Sequence, residues 1–346
     1  MSFIYLILDW YHKNKRDLPW RANKKVYPIW LSEIILQQTR VNQGLSYYLR
    51  FIEKFPNVHS LSHANETEVL NLWQGLGYYS RARNLLKTAQ IIVTEYDGIF
   101  PDSFQNLKKL PGIGPYTAAA IASISYNEKV PAIDGNAFRF YARFFGINKN
   151  TADSDAHSYF FNYVLALMPQ ENPGDFNQAV MEIGARICLP KNPNCNICPV
   201  QSQCVAYNTG QINKLPVKIK KVKIRERYFH YFFIQNKKQN EFLIKKRIQK
   251  DIWQNLFELP LEEAKTKEFA IDFHNITTED PVFLYKIIHI LTHQKLHIHF
   301  YEIQLNENAF LQLKNEKDFI SVSSTQMHNF PFPVPVAQFL ISKFNT

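Results

Sequence analysis

The sequence predicts an all-α N-terminal region of about 210 residues, followed by a smaller domain that contains β-strands. Apolar residues recur at helical spacing through the first part, whereas residues 228–234, 241–246 and 296–303 alternate and are rich in aromatic or β-branched side chains. All eleven glycines lie at or before Gly210, so the last third must form its turns with other residues. We therefore expect at least two domains in this chain of 346 residues.

The helices of the first region can be placed approximately from periodicity and from start signals. Pro115 stands at the first helical position before an Ala-rich run. The expected helices cover residues 28–55 with Ser32 as a start, 66–73, 80–96, a segment ending near 109, 117–123, 136–145, 153–167 and 177–187. A basic segment, residues 214–227, follows them and either lies along a phosphate backbone or is a solvated connector.

Composition limits the class of protein. The net charge of +10 favours a polyanionic partner, of which nucleic acid is the commonest, although a generally basic composition would give the same value. Residues 1–8 are apolar but lack a preceding basic stretch, and no apolar run approaches the roughly 20 residues of a membrane helix. We expect a soluble cytoplasmic protein.

Four cysteines lie within one short stretch, with the spacing Cys188-x6-Cys195-x2-Cys198-x5-Cys204. This clustering points to metal ligation rather than to disulfides, and four thiolates suit zinc or an iron–sulfur cluster. Zinc ribbons usually carry two Cys-x2-Cys pairs, and only one is present. Four reduced structural thiols are the alternative.

Residues 110–118 join two expected helices and contain Gly112 and Gly114. Two glycines around an apolar residue allow a tight turn with positive φ, and the following helix N-terminus offers donors to a phosphate. An ordinary helix connection is the alternative. The stretch resembles the helix–hairpin–helix of the base-excision glycosylase superfamily, in which an aspartate follows about twenty residues later, and Asp134 occupies that place.

Cleavage of an N-glycosidic bond requires a protonated carboxyl for the leaving base and an ionised one for the sugar cation. Asp134 follows two apolar residues, and its alternative role is a helix cap. Glu33, flanked by Ile34 and Leu31-Ser32, is a candidate for a raised pKa, and its alternative role is a capping or surface residue.

Three segments resemble the MutY family of adenine DNA glycosylases: residues 18–21, 32–39 and 75–83. The resemblance implies that Glu33 protonates adenine at N7, that Asp134 stabilises the sugar cation and that Tyr116 helps to hold the sugar intermediate. It places Gln38 and Tyr78 in the base stack near 8-oxoguanine. It assigns to the adenine pocket Arg16, Trp20, Arg21, Leu36 and Gln178, and to the DNA phosphates Gly112, Gly114 and Asn136, with Lys108 and Lys109 nearby.

The same resemblance implies that Cys188, Cys195, Cys198 and Cys204 hold a [4Fe–4S] cluster, which folds a loop carrying Lys191. It also implies an α+β C-terminal domain that resembles Nudix hydrolases, with residues 253–260 as its early landmark. A working Nudix box needs glycines, so we expect a module that recognises 8-oxoguanine without hydrolysing pyrophosphate. Thr292 and His293 occupy the family's recognition loop, where Leu291 replaces an aromatic residue.

The expected organisation is a helix–hairpin–helix glycosylase region over residues 1–210, a basic linker over 211–227 and a Nudix-like domain over 228–346. Within the first, residues 22–127 form a six-helix domain, and residues 1–21 with 128–210 form the cluster domain. The partner is duplex DNA with adenine opposite 8-oxoguanine or guanine, and the protein is expected to be a monomer.

Two rival functions remain open at this point. An endonuclease III-like pyrimidine glycosylase would also cut the DNA strand, but that family has a hairpin lysine where this chain has Tyr116, and tyrosine cannot form a Schiff base. A DNA-binding module without catalytic activity is the other. His289, His293, His297 and His299 are interpreted as ordinary strand and loop residues.

Overall fold

The computed structural model describes residues 1–219, 224–236, 240–264, 280–316 and 318–344. Residues 220–223 of the predicted linker lie outside these ranges. The chain divides into two compact units, one made of Met1–Ala64 and Asn84–Lys220, the other of Asn65–Arg83 and Lys221–Thr346. No helix among the described residues is long and apolar enough to cross a membrane.

The helical part runs from the N-terminus to residue 208. Its α-helices are α1 Phe3–Asn14, α2 Val26–Ile35, α3 Val41–Lys54, α4 Val58–Ser62, α5 Glu66–Trp73, α6 Ser80–Glu95, α7 Phe104–Leu107, α8 Pro115–Tyr126, α9 Gly135–Phe145, α10 Ala156–Leu167, α11 Pro173–Arg186 and α12 Val205–Asn208. Short 3₁₀ turns cover Pro19–Arg21, Cys195–Ile197 and Gln201–Gln203.

Helix α8 is buried along most of its length, and α2 and α11 pack against it. Its alanines have small side chains, which lets the neighbouring backbones approach. At Gly174 of α11 a Cβ atom would come within 2.6 Å of the carbonyl oxygen of Ser123. Glu33, Tyr116 and Gln178, which are described below, lie on α2, α8 and α11 respectively.

One predicted helix is divided in the structure. Within the segment predicted as one helix from Pro28 to Phe55, α2 ends at Ile35 and α3 begins at Val41. Gln38, which lies between them, has φ 56°. Ser32 is not a helix start, because it lies inside α2 and its hydroxyl donates to the carbonyl of Ile29 at 2.7 Å. Apolar periodicity continues across the break, which is why periodicity alone concealed it.

The second unit is built on a sheet. Its elements after the helical part are β1 Arg225–Asn236, β2 Glu241–Lys246, β3 Phe257–Glu258, β4 Leu261–Ala264, β5 Val282–Ile290, β6 Gln294–Leu305, α13 Glu307–Glu316, β7 Ile320–Ser323 and α14 Val334–Phe344. Among the described residues the order is β3-β2-β1-β6-β5, with β4 on β1 and β7 on β2. Strands β1 and β6 are parallel and the other pairs antiparallel. The three strands predicted from alternation are all present.

Candidate active site

A cavity of about 610 Å³ in the first unit collects residues that are distant in sequence. We call it the unit 1 cavity. Of the residues predicted to act in the reaction, it is lined by Arg16, Trp20, Arg21, Glu33, Leu36, Gln38, Gly114, Tyr116, Asp134, Asn136 and Gln178. Gly112 lies in the same unit outside this lining, and Tyr78, Thr292 and His293 belong to the second unit.

Glu33 lies on α2 with only 3% of its surface exposed. One carboxylate oxygen accepts a hydrogen bond from Arg21 Nη2 at 2.6 Å, and the other accepts from the Tyr116 hydroxyl at 2.9 Å. The same hydroxyl lies 3.1 Å from Met181 Sδ. A buried carboxylate needs such hydrogen-bond partners, because burial has removed the water that would otherwise solvate it.

Tyr116 lies in the first turn of α8 and faces both carboxylates. Burial, together with the negative charges of Glu33 and Asp134, raises the pKa of Tyr116 well above its usual value. The phenol therefore keeps its proton at neutral pH and acts as a hydrogen-bond donor rather than as a base or an oxyanion.

Asp134 caps α9, which was the alternative considered from sequence, and it also lines the unit 1 cavity. Its carboxylate accepts from the backbone N–H of Ala137 at 2.7 Å and from Asn136 Nδ2 at 2.8 Å. Burial raises the pKa of Asp134, the hydrogen bonds from Ala137 and Asn136 oppose that rise, and the charge of Glu33 adds to it. Capping and a place in the cavity are thus compatible.

Asn136 was predicted to contact a DNA phosphate. Its side-chain amide is instead engaged within the unit, because Nδ2 donates to Asp134 and Oδ1 accepts from Arg139 Nη2 at 2.8 Å. The geometry therefore favours a positioning role for Asn136 towards Asp134, with its phosphate contact remaining a prediction.

Arg16 and Trp20 form another part of the cavity wall. Arg16 is paired with the buried Glu182, to which its Nε and Nη2 atoms donate at 2.9 and 2.6 Å. Trp20 is 1% exposed and packs edge-on against Tyr48 with ring centroids 4.9 Å apart. Its indole nitrogen has no hydrogen-bond partner within the described part of the chain, so both core packing and a donor to a bound base are compatible with its position.

Gln178 lies on α11, 8% exposed, and its amide makes only a long contact of 3.5 Å with Asp175. This leaves the amide able to pair with the edge of a base. Gln38, which lines the cavity from the α2–α3 connection, is exposed and adopts a left-handed backbone conformation that a glutamine rarely takes.

The cavity lining also contains residues that the sequence analysis missed. Gln37 donates to the Thr117 hydroxyl at 3.2 Å and thereby ties the α2 end to α8. His157 of α10 and Lys15 also line the cavity. Gln37 lies inside the motif of residues 32–39, whereas no sequence signal connects His157 with the other cavity residues.

The turn before α8 confirms part of the predicted backbone geometry. Gly112 has φ +74°, and a Cβ atom there would lie 2.8 Å from Asn84 Cβ. Gly114 corrects the prediction of positive φ, because it has φ −80° as the N-cap of α8. No atom lies within 4 Å of a Cβ built on Gly114, so the backbone of this turn is open to an approaching group. Lys108 and Lys109 nearby are exposed.

The four cysteines line one small cavity of about 20 Å³, apart from the unit 1 cavity. They are free thiols, and burial raises the pKa of Cys198 to about 11. Arg143 Nη1 lies 3.5 Å from Cys188 Sγ. Among the described residues no group of three or more His, Cys, Asp or Glu stands close enough together to hold a metal ion. All four thiols line this one cavity, and four thiolates are a donor set of iron–sulfur clusters, so the cluster stays a prediction.

A groove of about 650 Å³ lies in the second unit, and we call it the recognition groove. It is lined by residues 75–80, Arg83, residues 251–253, residues 289–294 and Val334. Tyr78, 47% exposed and with φ 49°, has its hydroxyl hydrogen-bonded to that of Thr292. His293 is exposed in the β5–β6 turn, and its carbonyl accepts from the backbone of Arg225 at 3.0 Å. The segments 75–83 and 291–293, 214 residues apart at Tyr78 and Thr292, therefore meet.

Comparisons with known proteins cover both units. Residues 31–160 match the model of the HhH-GPD superfamily base excision DNA repair proteins, and residues 230–342 match a NUDIX domain. The chain is 39% identical over 339 residues to the adenine DNA glycosylase of Buchnera aphidicola subsp. Acyrthosiphon pisum (strain APS), covering 96% of this chain and 95% of the relative. It is 40% identical to the adenine DNA glycosylase of Homo sapiens over 209 residues, which are 58% of this chain and 38% of the relative.

Solved structures show the same helical architecture. A thermostable thymine-DNA glycosylase superposes with a TM-score of 0.55 at 27% identity, covering 60% of this chain and 95% of that one. A non-covalent endonuclease III–DNA complex superposes with a TM-score of 0.51 at 19% identity, covering 61% of this chain and 99% of that one, which is a likeness of fold. The predicted fold class, helical glycosylase region followed by a Nudix-like domain, is confirmed.

Proposed function

The chain belongs to the adenine DNA glycosylase family of base excision repair, and from this premise we propose that it removes adenine paired with 8-oxoguanine or guanine in duplex DNA. The observation that carries the proposal is the unit 1 cavity, in which Glu33, Tyr116 and Asp134 lie together. Chemistry on a base requires that the base leave the helix, and a cavity of about 610 Å³ has room for an extruded adenine.

Glu33 is proposed as the acid. Its carboxyl delivers a proton to adenine N7, so that the base leaves as a neutral molecule when the bond to the sugar breaks. A bound base would exclude water from this buried carboxyl and bring adenine N7 within reach of its proton. Tyr116 donates to one carboxylate oxygen and so leaves the other oriented for the base, although Arg21 must yield part of its contact when adenine enters.

Asp134 is proposed as the negative partner of the sugar cation. Its hydrogen bonds with Ala137 and Asn136 fix the carboxylate at the start of α9, with its charge facing the cavity. Water then adds to the sugar and completes hydrolysis. Because Tyr116 has no amine, we propose a monofunctional enzyme that leaves the abasic strand intact.

The turn with Gly112 and Gly114 is proposed to hold DNA phosphates through backbone N–H groups, and the net charge of +10 supports binding to duplex DNA. Cys188, Cys195, Cys198 and Cys204 would hold a [4Fe–4S] cluster, which when bound links the loops after α11 into one folded element. The proposal also includes the subdivision of the helical region into a six-helix domain and a cluster domain. It further includes a monomeric state and a location on the chromosome of a bacterial cell.

The preference for 8-oxoguanine is proposed to come from the recognition groove. Tyr78, Thr292 and His293 line it, and Tyr78 is exposed on a backbone turn as an intercalating residue needs to be. The hydroxyl of Thr292 can bond the oxidised purine after exchange of its bond with Tyr78.

The test is release of free adenine from duplexes with adenine opposite 8-oxoguanine, guanine or thymine. We expect release from the first two, with abasic strands that break only after alkali treatment. Glu33→Gln should lose base release while keeping its affinity for the duplex. The matched control is Glu128→Gln, because Glu128 does not line the cavity and its carboxylate accepts a hydrogen bond from Phe104 N. Base release by Glu33→Gln would refute the acid assignment, and strand breaks without alkali would favour the endonuclease III-like alternative.

A further inference from the structure

The loop between β2 and β3 forms one wall of the recognition groove and has a strained backbone. Trp253 and Asn255 have φ 61° and φ 67°, in the left-handed region that is unfavourable for a residue with a side chain. Backbone hydrogen bonds from Asn255 N to Arg247 O at 2.7 Å and from Arg247 N to Leu256 O at 2.8 Å close the loop. A strained loop persists only where its surroundings hold it.

Asp251 supplies that restraint. Its carboxylate accepts from Arg227 Nη2 at 2.6 Å and from Arg247 Nη2 at 2.9 Å, and the two arginine side chains are only 4% and 6% exposed. Arg247 also donates from Nε to the carbonyl of Ile252 at 2.9 Å. Removal of Asp251 would take one carboxylate partner from each of these buried arginines, so this cluster fixes the loop to the sheet.

The loop presents Trp253 to the groove. The Trp253 ring is 9% exposed and lies 5.8 Å from the ring of His289, which also lines the groove. Burial lowers the pKa of His289, so its imidazole is neutral at physiological pH and offers one acceptor nitrogen. Neither ring makes a hydrogen bond to another residue that the structure describes, so their polar atoms are available to a ligand.

We propose that Trp253 and His289 hold the purine opposite the excised adenine, that His289 is the specificity-determining residue of the two, and that Asp251 positions Trp253. The indole gives a stacking surface for the purine, as aromatic side chains do for any base. The neutral imidazole accepts a hydrogen bond from N7–H, which 8-oxoguanine has and guanine lacks. A groove of about 650 Å³ accommodates a purine nucleotide.

This inference rests on the proposed preference for 8-oxoguanine, and its test does not depend on catalysis. The dissociation constants of the full-length protein are measured for two duplexes that carry a non-cleavable abasic-site analogue opposite either 8-oxoguanine or guanine. The two constants and their ratio are the readouts. A wild-type protein that prefers 8-oxoguanine here but releases no adenine would contradict the proposed reaction and leave the groove assignment standing.

His289→Leu should reduce this ratio about tenfold, because the acceptor for N7–H is lost. Trp253→Leu should weaken binding to both duplexes about tenfold, the size expected for loss of one stacking contact. Trp253→Phe should retain most of the affinity for both duplexes, because a stacking surface remains. Phe257→Leu is the matched control, since Phe257 has a similar exposure of 7% and lies outside the groove lining. An unchanged ratio in His289→Leu, unchanged affinities in Trp253→Leu, or an equal loss in Phe257→Leu would overturn the proposal, as would a wild type that binds both duplexes equally.

Asp251→Asn tests the positioning role. It should weaken binding to both duplexes several-fold and have no further effect when added to Trp253→Leu, a pattern that general destabilisation does not give. Glu263→Gln is its control, because Glu263 also accepts from Arg227, at 2.7 Å, but does not line the groove. If both variants weaken binding equally, or if Asp251→Asn weakens Trp253→Leu further, Asp251 has no particular role in positioning Trp253.

Discussion

At the scale of single residues, the two carboxyls of the unit 1 cavity differ in their hydrogen-bond partners. Glu33 has a guanidinium and a phenol, whereas Asp134 has a backbone N–H and an amide. Burial raises the pKa of Asp134 and its hydrogen-bond donors lower it, so the balance depends on identifiable side chains. Two neighbouring carboxyls with different surroundings are what an acid and an ionised stabiliser require.

Asn136→Ala should move the acid side of the pH profile of adenine release to higher pH. The reaction needs Asp134 ionised, and the amide of Asn136 holds the pKa of Asp134 down against burial. Without the amide that pKa rises further, so a smaller fraction of Asp134 is ionised at any pH below neutrality. Single-turnover rates across acidic and neutral pH measure the shift.

Asn150→Ala is the control for this experiment. Asn150 makes a similar amide–carboxylate bond to Asp153 at 2.9 Å, outside the lining of the unit 1 cavity. Its profile should match that of the wild type. A profile for Asn136→Ala that keeps its shape and only drops in height would show that the amide does not set the ionisation of Asp134.

At the scale of elements, the two glycines before α8 have different physical roles. Gly112 adopts a left-handed conformation against Asn84, whereas Gly114 has ordinary φ and open space around it. Gly112→Ala should therefore lower the free energy of unfolding by about 1–2 kcal/mol. Gly114→Ala should lose much less stability but weaken binding to duplex DNA, since the new methyl group stands where a phosphate would approach.

Thermal unfolding and DNA-binding isotherms of the two variants distinguish these effects. A loss of about 1 kcal/mol corresponds to a fall in Tm of about 2–4 °C in a domain of this size. The assignment would be wrong if Gly112→Ala unfolds like the wild type, or if Gly114→Ala binds DNA with unchanged affinity.

The sequence predicted elements better than the contacts between them. The caps and strands with clear local signals, such as Pro115 at the start of α8, appear as expected. The cavity bond between Gln37 and Thr117 and the presence of His157 depend on helix packing, which local pattern does not encode. Glu33 and Asp134 were found through the family resemblance, because either residue alone reads equally well as a surface acid or a cap.

At the scale of the whole molecule, unit boundaries do not follow the order of the chain. Residues 65–83, which carry Tyr78, cluster with the C-terminal sheet although they lie in the first third of the sequence. Hydrogen-bonded pairs that join them to that sheet unit include Glu66–Asn255, Asn71–Asn329, Tyr78–Thr292 and Arg83–Gln254. A cut between the catalytic region and the Nudix-like domain would therefore also deprive the earlier segment of its partners.

A fragment of residues 1–219 should consequently show local loosening rather than a clean separation of functions. We expect faster amide hydrogen exchange over residues 65–83 in the fragment than in the full chain, because four side-chain contacts of that segment are gone. Residues 117–124 of α8, buried within the first unit, serve as the internal control and should keep their protection. Equal exchange of residues 65–83 in both proteins would mean that the segment is held by the first unit instead. If only residues 65–83 exchange faster, the fragment lacks two things at once. It lacks the recognition domain, and Tyr78 is no longer held in place, so both would contribute to a loss of 8-oxoguanine preference.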